Sequence, residues 1–419
     1  MAMSYYVLLA GAFGLYRLAK VFYNLYLHPL AGFPGPKFGA ATHLYEFYWS
    51  VVRDGEFIWE IERMHQKYGP IIRITPREIH ISDPSFYNEI YAGNNKRVDG
   101  DYRFTRSTGV TQSMFSAIEH DLHTARRSPL TKFFSKRSIN NIQPIIQDKV
   151  ERYIKKLGDA RKDGGAVNLN VLSAAFTADT ISHYAYGVSM GCLDGERENI
   201  LTDATQAVLA LSHWLKFMPI RFTNAKRLPP ELVERFSAKA ATVLRTHRTI
   251  SELAMSVLHA AEPKAPHENM FAALADPRLP AEERNLGRLE DEGFVVLAAG
   301  TETTAYSLSV TMFYLLHNPD IHANLLEELT AIWPNPHECP DLSALENLPL
   351  LTPCSTATYF VHTDAELFPD PWRFDPDRWI RAAERGEHLE SHLALFLKGN
   401  RACLGIKYVK DIASPFHTM

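Results

Sequence analysis

The sequence predicts a mainly α-helical protein with a small β-sheet, and three observations lead there. Several long stretches place apolar side chains three and four residues apart, the repeat of one helix face. One short segment, Pro70 to Asp83, instead alternates apolar and polar residues around a Thr75-Pro76-Arg77 turn, as a half-buried hairpin does. The 419 residues, 46% hydrophobic and 22% charged, contain no internal repeat and no low-complexity tract, so the chain can bury a large core.

From the N-terminus, Tyr5 to Tyr16 is an unbroken run of apolar residues and glycine, and Arg17 and Lys20 separate it from a second apolar stretch ending at Leu27. The first run is too short to span a bilayer, which takes about 20 apolar residues. Read as one unit, Tyr5 to Leu27 forms an oblique membrane anchor with its two cations reaching for the interface; an amphipathic interfacial helix and a signal peptide are the alternatives. Against cleavage, no charged region precedes the run and no small-residue cleavage site follows it. His28 to Pro36, HPLAGFPGP, is a proline-rich hinge, so the expected division is an anchor at 1–27, a hinge at 28–36 and one large domain at 37–419.

After the hairpin the chain is helical. Ile139 to Leu157, Asn168 to Tyr186, Leu201 to Lys216, Pro230 to His259 and Arg288 to His317 carry the helical repeat, and Pro319 to Trp333 adds another helix with Asn318 as its cap. Ala261 to Asp291, rich in Pro, Glu and Arg, reads as a solvated connection.

The formal charge of −4 and the lack of any long basic run argue against nucleic acid as a partner. Four cysteines at irregular spacing, Cys192, Cys339, Cys354 and Cys403, argue against a disulfide framework and against paired-cysteine zinc sites, so cysteine chemistry must come singly.

Cys403 is the candidate. It lies in Phe396-Leu397-Lys398-Gly399-Asn400-Arg401-Ala402-Cys403-Leu404-Gly405, where permissive glycines and a nearby cation favour a thiolate; the bland reading of a lone cysteine is a small buried hydrophobe. The pattern Phe-x-x-Gly-x-Arg-x-Cys-x-Gly resembles the haem-binding loop of the cytochrome P-450 superfamily, in which the cysteine thiolate ligates iron and its electron density favours O–O cleavage. The resemblance extends to Ala299-Gly300-Thr301-Glu302-Thr303-Thr304, in the middle of the apolar helix VVLAAGTETTAYSLSV. Glycine and threonine are poor helix formers, so by itself this segment reads as a packing notch with back-bonded threonines. In the family it is the oxygen-binding helix, which implies that Gly300 beside Ala299 leaves room for dioxygen while Glu302 and Thr303 handle protons. His123 and Arg127, four apart on one helix face, read as a surface basic patch or, by resemblance, as partners of the haem propionates together with Arg401. Phe368 to Trp379 is similar to the family's meander, whose arginine, here Arg378, locks onto a Glu-x-x-Arg pair.

That pair is missing. After Cys354 the sequence passes directly to Ser355-Thr356-Ala357-Thr358-Tyr359-Phe360-Val361-His362, which looks like the family's strand before the meander, and beyond about residue 406 it departs again. The expectation is therefore an incomplete P-450-like fold with an internal gap at 354/355 and an N-terminal membrane-anchor helix. Its implied cofactor is haem (heme, iron protoporphyrin IX) on Cys403. The expected partners are an NADPH-dependent reductase, O₂, an apolar substrate and membrane lipid, and the expected location is the endoplasmic reticulum membrane. The type is that of fungal secondary metabolism, similar to trichodiene oxygenase. The rival expectation is a catalytically inactive, mis-spliced member of the same family.

Overall fold

In the computed structural model, the alternation of Ile71 to Ser82 becomes an antiparallel hairpin, β1 (Ile71–Thr75) and β2 (Glu78–Ile81), with Ile71 opposite Ile81 and a register shift between Arg73 and Thr75. The structure describes residues 2–91, 97–195, 200–217, 228–258, 269–333, 359–394 and 396–413. The chain divides into two units, one built on 1–92 with 358–364 and the other on 93–357 with 365–419.

In the first unit, helix α1 (Ala2–Phe22) runs into a π-helical turn at Tyr23–Leu27, and α2 (Phe57–Tyr68) packs Ile61 and Met64 on Ile72 and Ile74 of β1. β1 is buried almost throughout rather than on one face, because the proline-rich segment lies along it: the Arg73 amide donates to Pro34 O at 2.7 Å. Gly35 is required at that contact, since a Cβ there would collide with the Arg73 carbonyl. The Arg73 side chain, 1% exposed, donates to Asn24 O at 2.8 Å and to Pro76 O at 2.7 Å, and Asn24 Nδ2 donates to Ala41 O at 2.9 Å.

These bonds alter the reading of the N-terminus. The large apolar side chains from Tyr5 to Leu18 are exposed, but Asn24 belongs to the packed unit, which shortens the apolar length. Among the described residues no helix is long and apolar enough to cross a membrane.

His65 Nε2 and His80 Nδ1 lie 2.7 Å apart and tie α2 to β2, while His65 Nδ1 meets Gly69 O at 2.8 Å. Burial first, then repulsion from His65, lowers His80 from its ordinary 6.5 to about 4. The unfolded chain thus takes up a proton across that interval that the folded chain refuses, so stability falls as pH drops from 6.5 toward 4 and returns on neutralisation. Urea midpoints followed from pH 7 to pH 4 are expected to fall less steeply in His80→Gln than in the wild type; parallel slopes would contradict this.

The second unit is arranged around one long helix. Besides short turns and the five-residue helices Lys136–Asn140 and Pro230–Glu234, its described elements in chain order include α3 (Tyr102–Thr108), α4 (His120–Thr131), α5 (Gln143–Lys162), α6 (Leu169–Tyr186), α7 (Ile200–Leu215), α8 (Ala238–Leu258), α9 (Met270–Leu274), α10 (Leu286–His317), α11 (Pro319–Ile332), α12 (Asp377–Glu384) and α13 (Ile406–Ala413). The Asn168 and Asn285 side chains cap α6 and α10 by accepting from amides of the first turn. Helix α6 is buried on nearly all sides, so the apolar repeat read at Asn168 to Tyr186 marks one face of a helix whose small polar residues are buried as well; it packs on α5 and α10. The buried Asp179 carboxylate accepts from the Cys192 and Leu193 amides at 2.8 and 2.9 Å, satisfying a turn that would otherwise bury bare N–H groups.

Three expectations are corrected. Asn318 stands before α11, but its side chain caps nothing and donates back to Tyr314 O at 2.7 Å, leaving Pro319 to start the helix. The connection at 261–291 is not solvated throughout, because Met270 and Phe271 are fully buried and Phe271 stacks on Tyr186 at 4.1 Å. Of the strand expected at Ser355 to His362, 355–358 lie outside the described residues, and Tyr359–His362 form a helical turn instead. A strand requires a neighbouring edge for its backbone groups, and among the described residues the hairpin is the only sheet; a helical turn satisfies the same groups locally.

Candidate haem-thiolate site

The loop carrying Cys403 is shaped by its backbone. Leu397 and Gly399 take left-handed φ values of 55° and 67°, Gly399–Arg401 make one 3₁₀ turn, and the Cys403 amide closes the loop on Phe396 O at 2.7 Å. The glycine at 399 fits a conformation that costs other residues energy. Leu404 packs against the core cluster that includes Leu297 and Ala298 of α10, Tyr408 of α13 stacks on Tyr184 at 6.2 Å, and α13 contacts α10, so the segment leaving the loop is anchored.

Cys403 itself is exposed, unlike Cys192, which is buried. This is not the setting of a cysteine serving as a core hydrophobe. The chain around the sulfur still raises its pKa by burial, opposed by the Gly405 amide and the Arg127 charge. A Cβ at Gly405 would lie 4.0 Å from Sγ, ordinary van der Waals contact.

Arg401 donates to Ala117 O at 2.9 Å and Ile118 O at 3.0 Å. His123, on α4, is 3% exposed, and its Nδ1 has no hydrogen-bond partner. Burial, with repulsion from Arg401 and Arg127, lowers it to about 4, so it is neutral at pH 7. Arg127 is half-buried, its pKa lowered by burial and raised again by Cys403, and it forms no ion pair among the described residues. Its sequence neighbour Arg126 is the one held by a carboxylate, Glu283, at 3.0 Å. The structure thus gathers Cys403, Arg401, His123 and Arg127 into one electrostatic neighbourhood. An exposed thiol in the field of Arg127, with Arg127 and Arg401 both acting on a histidine whose Nδ1 is orphaned, is chemistry that fits an iron porphyrin with two carboxylates.

On α10 the motif residues separate by face. Ala299 and Thr303 are exposed, one turn apart, and Thr303 Oγ1 donates to Ala299 O at 2.7 Å. Glu302 is intermediate, with Oε2 buried and unpartnered. Gly300 faces α6: a Cβ there would stand 2.8 Å from Ile181 Cγ1, and the neighbouring Thr301 O accepts from Thr177 Oγ1 at 3.0 Å. A side chain at Gly300 would thus run into Ile181, as a packing notch requires, while Ala299 and Thr303 carry the open face. Gly300→Ala is expected to destabilise the protein by about 1–3 kcal/mol from overpacking, less up to about 1 kcal/mol gained in helix propensity. A urea midpoint equal to or above that of the wild type would contradict this assignment.

Sequence reasoning missed the supports around the site. Consecutive buried carboxylates on α10 hold the 110–118 loop: Asp291 Oδ2 accepts from the Gln112 amide and Glu292 Oε2 from the Met114 amide, both at 2.8 Å. Arg288 bridges Glu292 and Glu283, which also takes Arg126. The only sequence signal was the cluster of charges, Arg288, Asp291 and Glu292, at the start of an otherwise apolar helix. In the meander, Arg378 donates to the carbonyls of Asp370, Arg373 and Asp375 at 2.9 to 3.2 Å, so its own segment supplies acceptors in place of the expected Glu-x-x-Arg pair.

The family description for cytochrome P450 matches residues 39–355 and 352–407. The chain belongs to the cytochrome P450 family. This P450 is 42% identical over 417 residues, 92% of its length and 85% of the other's, to conidiogenone synthase PchP450 of Penicillium rubens. It is 37% identical over 444 residues, 97% and 86% of the two chains, to cytochrome P450 monooxygenase TRI4 of Trichoderma arundinaceum. Its fold is similar to the crystal structure of a cytochrome P450DA heme domain, with a TM-score of 0.66 at 17% identity over 90% and 87% of the two chains. The protein is thus an oxidoreductase of the P450 monooxygenase class, and family and fold imply a haem-thiolate cofactor.

Proposed function

We propose that this P450 hydroxylates or epoxidises an apolar secondary metabolite, a terpenoid or polyketide, using O₂ and electrons drawn from NADPH by a separate reductase. The observation carrying this reading is the exposed Cys403 in the field of Arg127, which together with Arg401 also acts on His123. Bound through Cys403, the haem would supply oxygen activation and one-electron chemistry. Arg127 and Arg401 neutralise and orient the cofactor carboxylates, and the orphaned Nδ1 of His123 offers them a further donor. Thr303 Oγ1 holds a proton on the open face of α10, now donated to Ala299 O, and Glu302 lies in the same turn as a carboxylate able to replenish it. Phe104 and Phe115, exposed with ring centroids 5.3 Å apart, would offer apolar surface to such a substrate. The names of the relatives, a conidiogenone synthase and monooxygenases of the TRI4 type, support the substrate class.

We further propose association with the endoplasmic reticulum membrane through the exposed apolar surface of α1, with Arg17 and Lys20 at the lipid interface.

A second reading, a haem-free or inactive relative, is favoured by one observation: Arg378 bonds to its own loop in a sequence that lacks the Glu-x-x-Arg pair. One experiment separates the two. The reduced protein is treated with carbon monoxide and examined for a thiolate-type Soret band, then supplied with reductase, NADPH and a panel of terpenoid and polyketide precursors. The band with oxygenated product supports the first reading, the band without product across the panel counts against the substrate class, and no band supports the second.

A further inference from the structure

The segment 112–118 lies between two anchors. At one end Asp291 and Glu292 of α10 take the Gln112 and Met114 amides at 2.8 Å; at the other, Ala117 and Ile118 give their carbonyls to Arg401 at 2.9 and 3.0 Å. Between them the segment is stiff. Ser113 Oγ donates to Val110 O at 2.8 Å and accepts from the Ser116 amide at 3.2 Å, and Thr105 Oγ1 donates to Ser116 O at 2.9 Å. Ser113, Ser116 and Ala117 are at most 4% exposed, and the Asp291 and Glu292 carboxylates at most 2%. Charge-assisted bonds to backbone amides in such a dry setting are stronger than neutral ones and less screened by water.

We propose that Asp291 and Glu292 are positioning residues for the cysteine loop. By fixing the amide end of 112–118 they fix its carbonyl end, and those carbonyls set the direction of Arg401 and, through it, the arrangement of Phe396 to Cys403. The inference rests on the haem reading for its functional meaning, but the mechanical coupling is a property of the polypeptide alone. Loosening the α10 end should therefore be felt at the cysteine loop even without cofactor.

The test uses the full-length protein. Amide hydrogen exchange is measured without cofactor in the wild type, Asp291→Ala, the isosteric Asp291→Asn, and Arg401→Gln, and haem dissociation is measured in the loaded proteins. In Asp291→Ala, exchange at 112–118 and at 396–403 is expected to rise together by roughly tenfold or more, with α6 unchanged and haem lost faster. Asp291→Asn, which keeps an oxygen acceptor, should restore both segments, and Arg401→Gln should loosen 117–118 and 396–403 while sparing the 112–114 amides. Faster exchange at 112–118 with 396–403 unmoved would overturn the proposal, as would exchange in Asp291→Asn as fast as in Asp291→Ala. If Asp291→Ala fails to fold, the Arg401→Gln pattern decides alone, its overturning result being no change at 117–118. A wild type that takes up no haem but shows coupled exchange would refute the haem reading and leave the positioning role standing.

Discussion

Cys403→Ser is expected to abolish the thiolate-type spectrum of the carbon monoxide complex and to lower monooxygenase turnover by more than about 100-fold, since losing even an outer-shell partner of a metal site costs about 10- to 100-fold. Serine preserves size and backbone but presents a hydroxyl that holds its proton, so the soft anionic donor is gone. The loop should survive, because its closing bond runs from the residue 403 amide to Phe396 O and involves no side chain. With Cys403 exposed, the change in folding stability should stay within about 0.5 kcal/mol. Unchanged stability with a lost spectrum identifies the ligand; a retained spectrum would remove Cys403 from the site.

Arg288→Ala is expected to show the reverse profile, a large loss of stability. Arg288, 2% exposed, is held between Glu283 at 3.1 Å and the fully buried Glu292, whose second oxygen has no partner. Removing the cation strands a buried carboxylate and should cost about 3–5 kcal/mol, a large part of the about 5–15 kcal/mol that usually holds a domain together. Arg288→Met combined with Glu292→Gln should recover much of the loss, since it removes cation and anion together while Gln still accepts from the Met114 amide. Urea denaturation of the single and double variants measures this, and strictly additive losses would refute the coupling.

Local patterns were legible where local forces decide. The 71–81 hairpin follows from alternation and a Thr-Pro-Arg turn, and α10 ends at His317 as its apolar repeat does. The cysteine loop was readable through the resemblance of its ten-residue pattern to the family's, while the acceptors that hold its Arg401, Ala117 O and Ile118 O, lie far away in the chain. What escaped depends on partners far away in the chain. The Gln112–Asp291 bond spans 179 residues, and nothing near Gly300 announces that Ile181 fills its notch. Asn318 had the residue type of a cap, but its side-chain amide donates backward to Tyr314 O and its oxygen accepts no first-turn amide. The turn at Tyr359–His362 has no adjoining strand among the described residues, which no inspection of those four side chains reveals.

The bonds joining Asn24, Ala41 and Arg73 bear on how α1 transmits force. A helix joined to its body by a slack linker acts as an entropic tether, and its direction is averaged away. Here the turn that ends the helix is bolted to the hairpin through a buried guanidinium, so α1 behaves as a lever arm: tilting it loads Arg73 in shear, and the bearing of the 1–92 unit against any surface that α1 grips is set by bond geometry rather than by chain statistics.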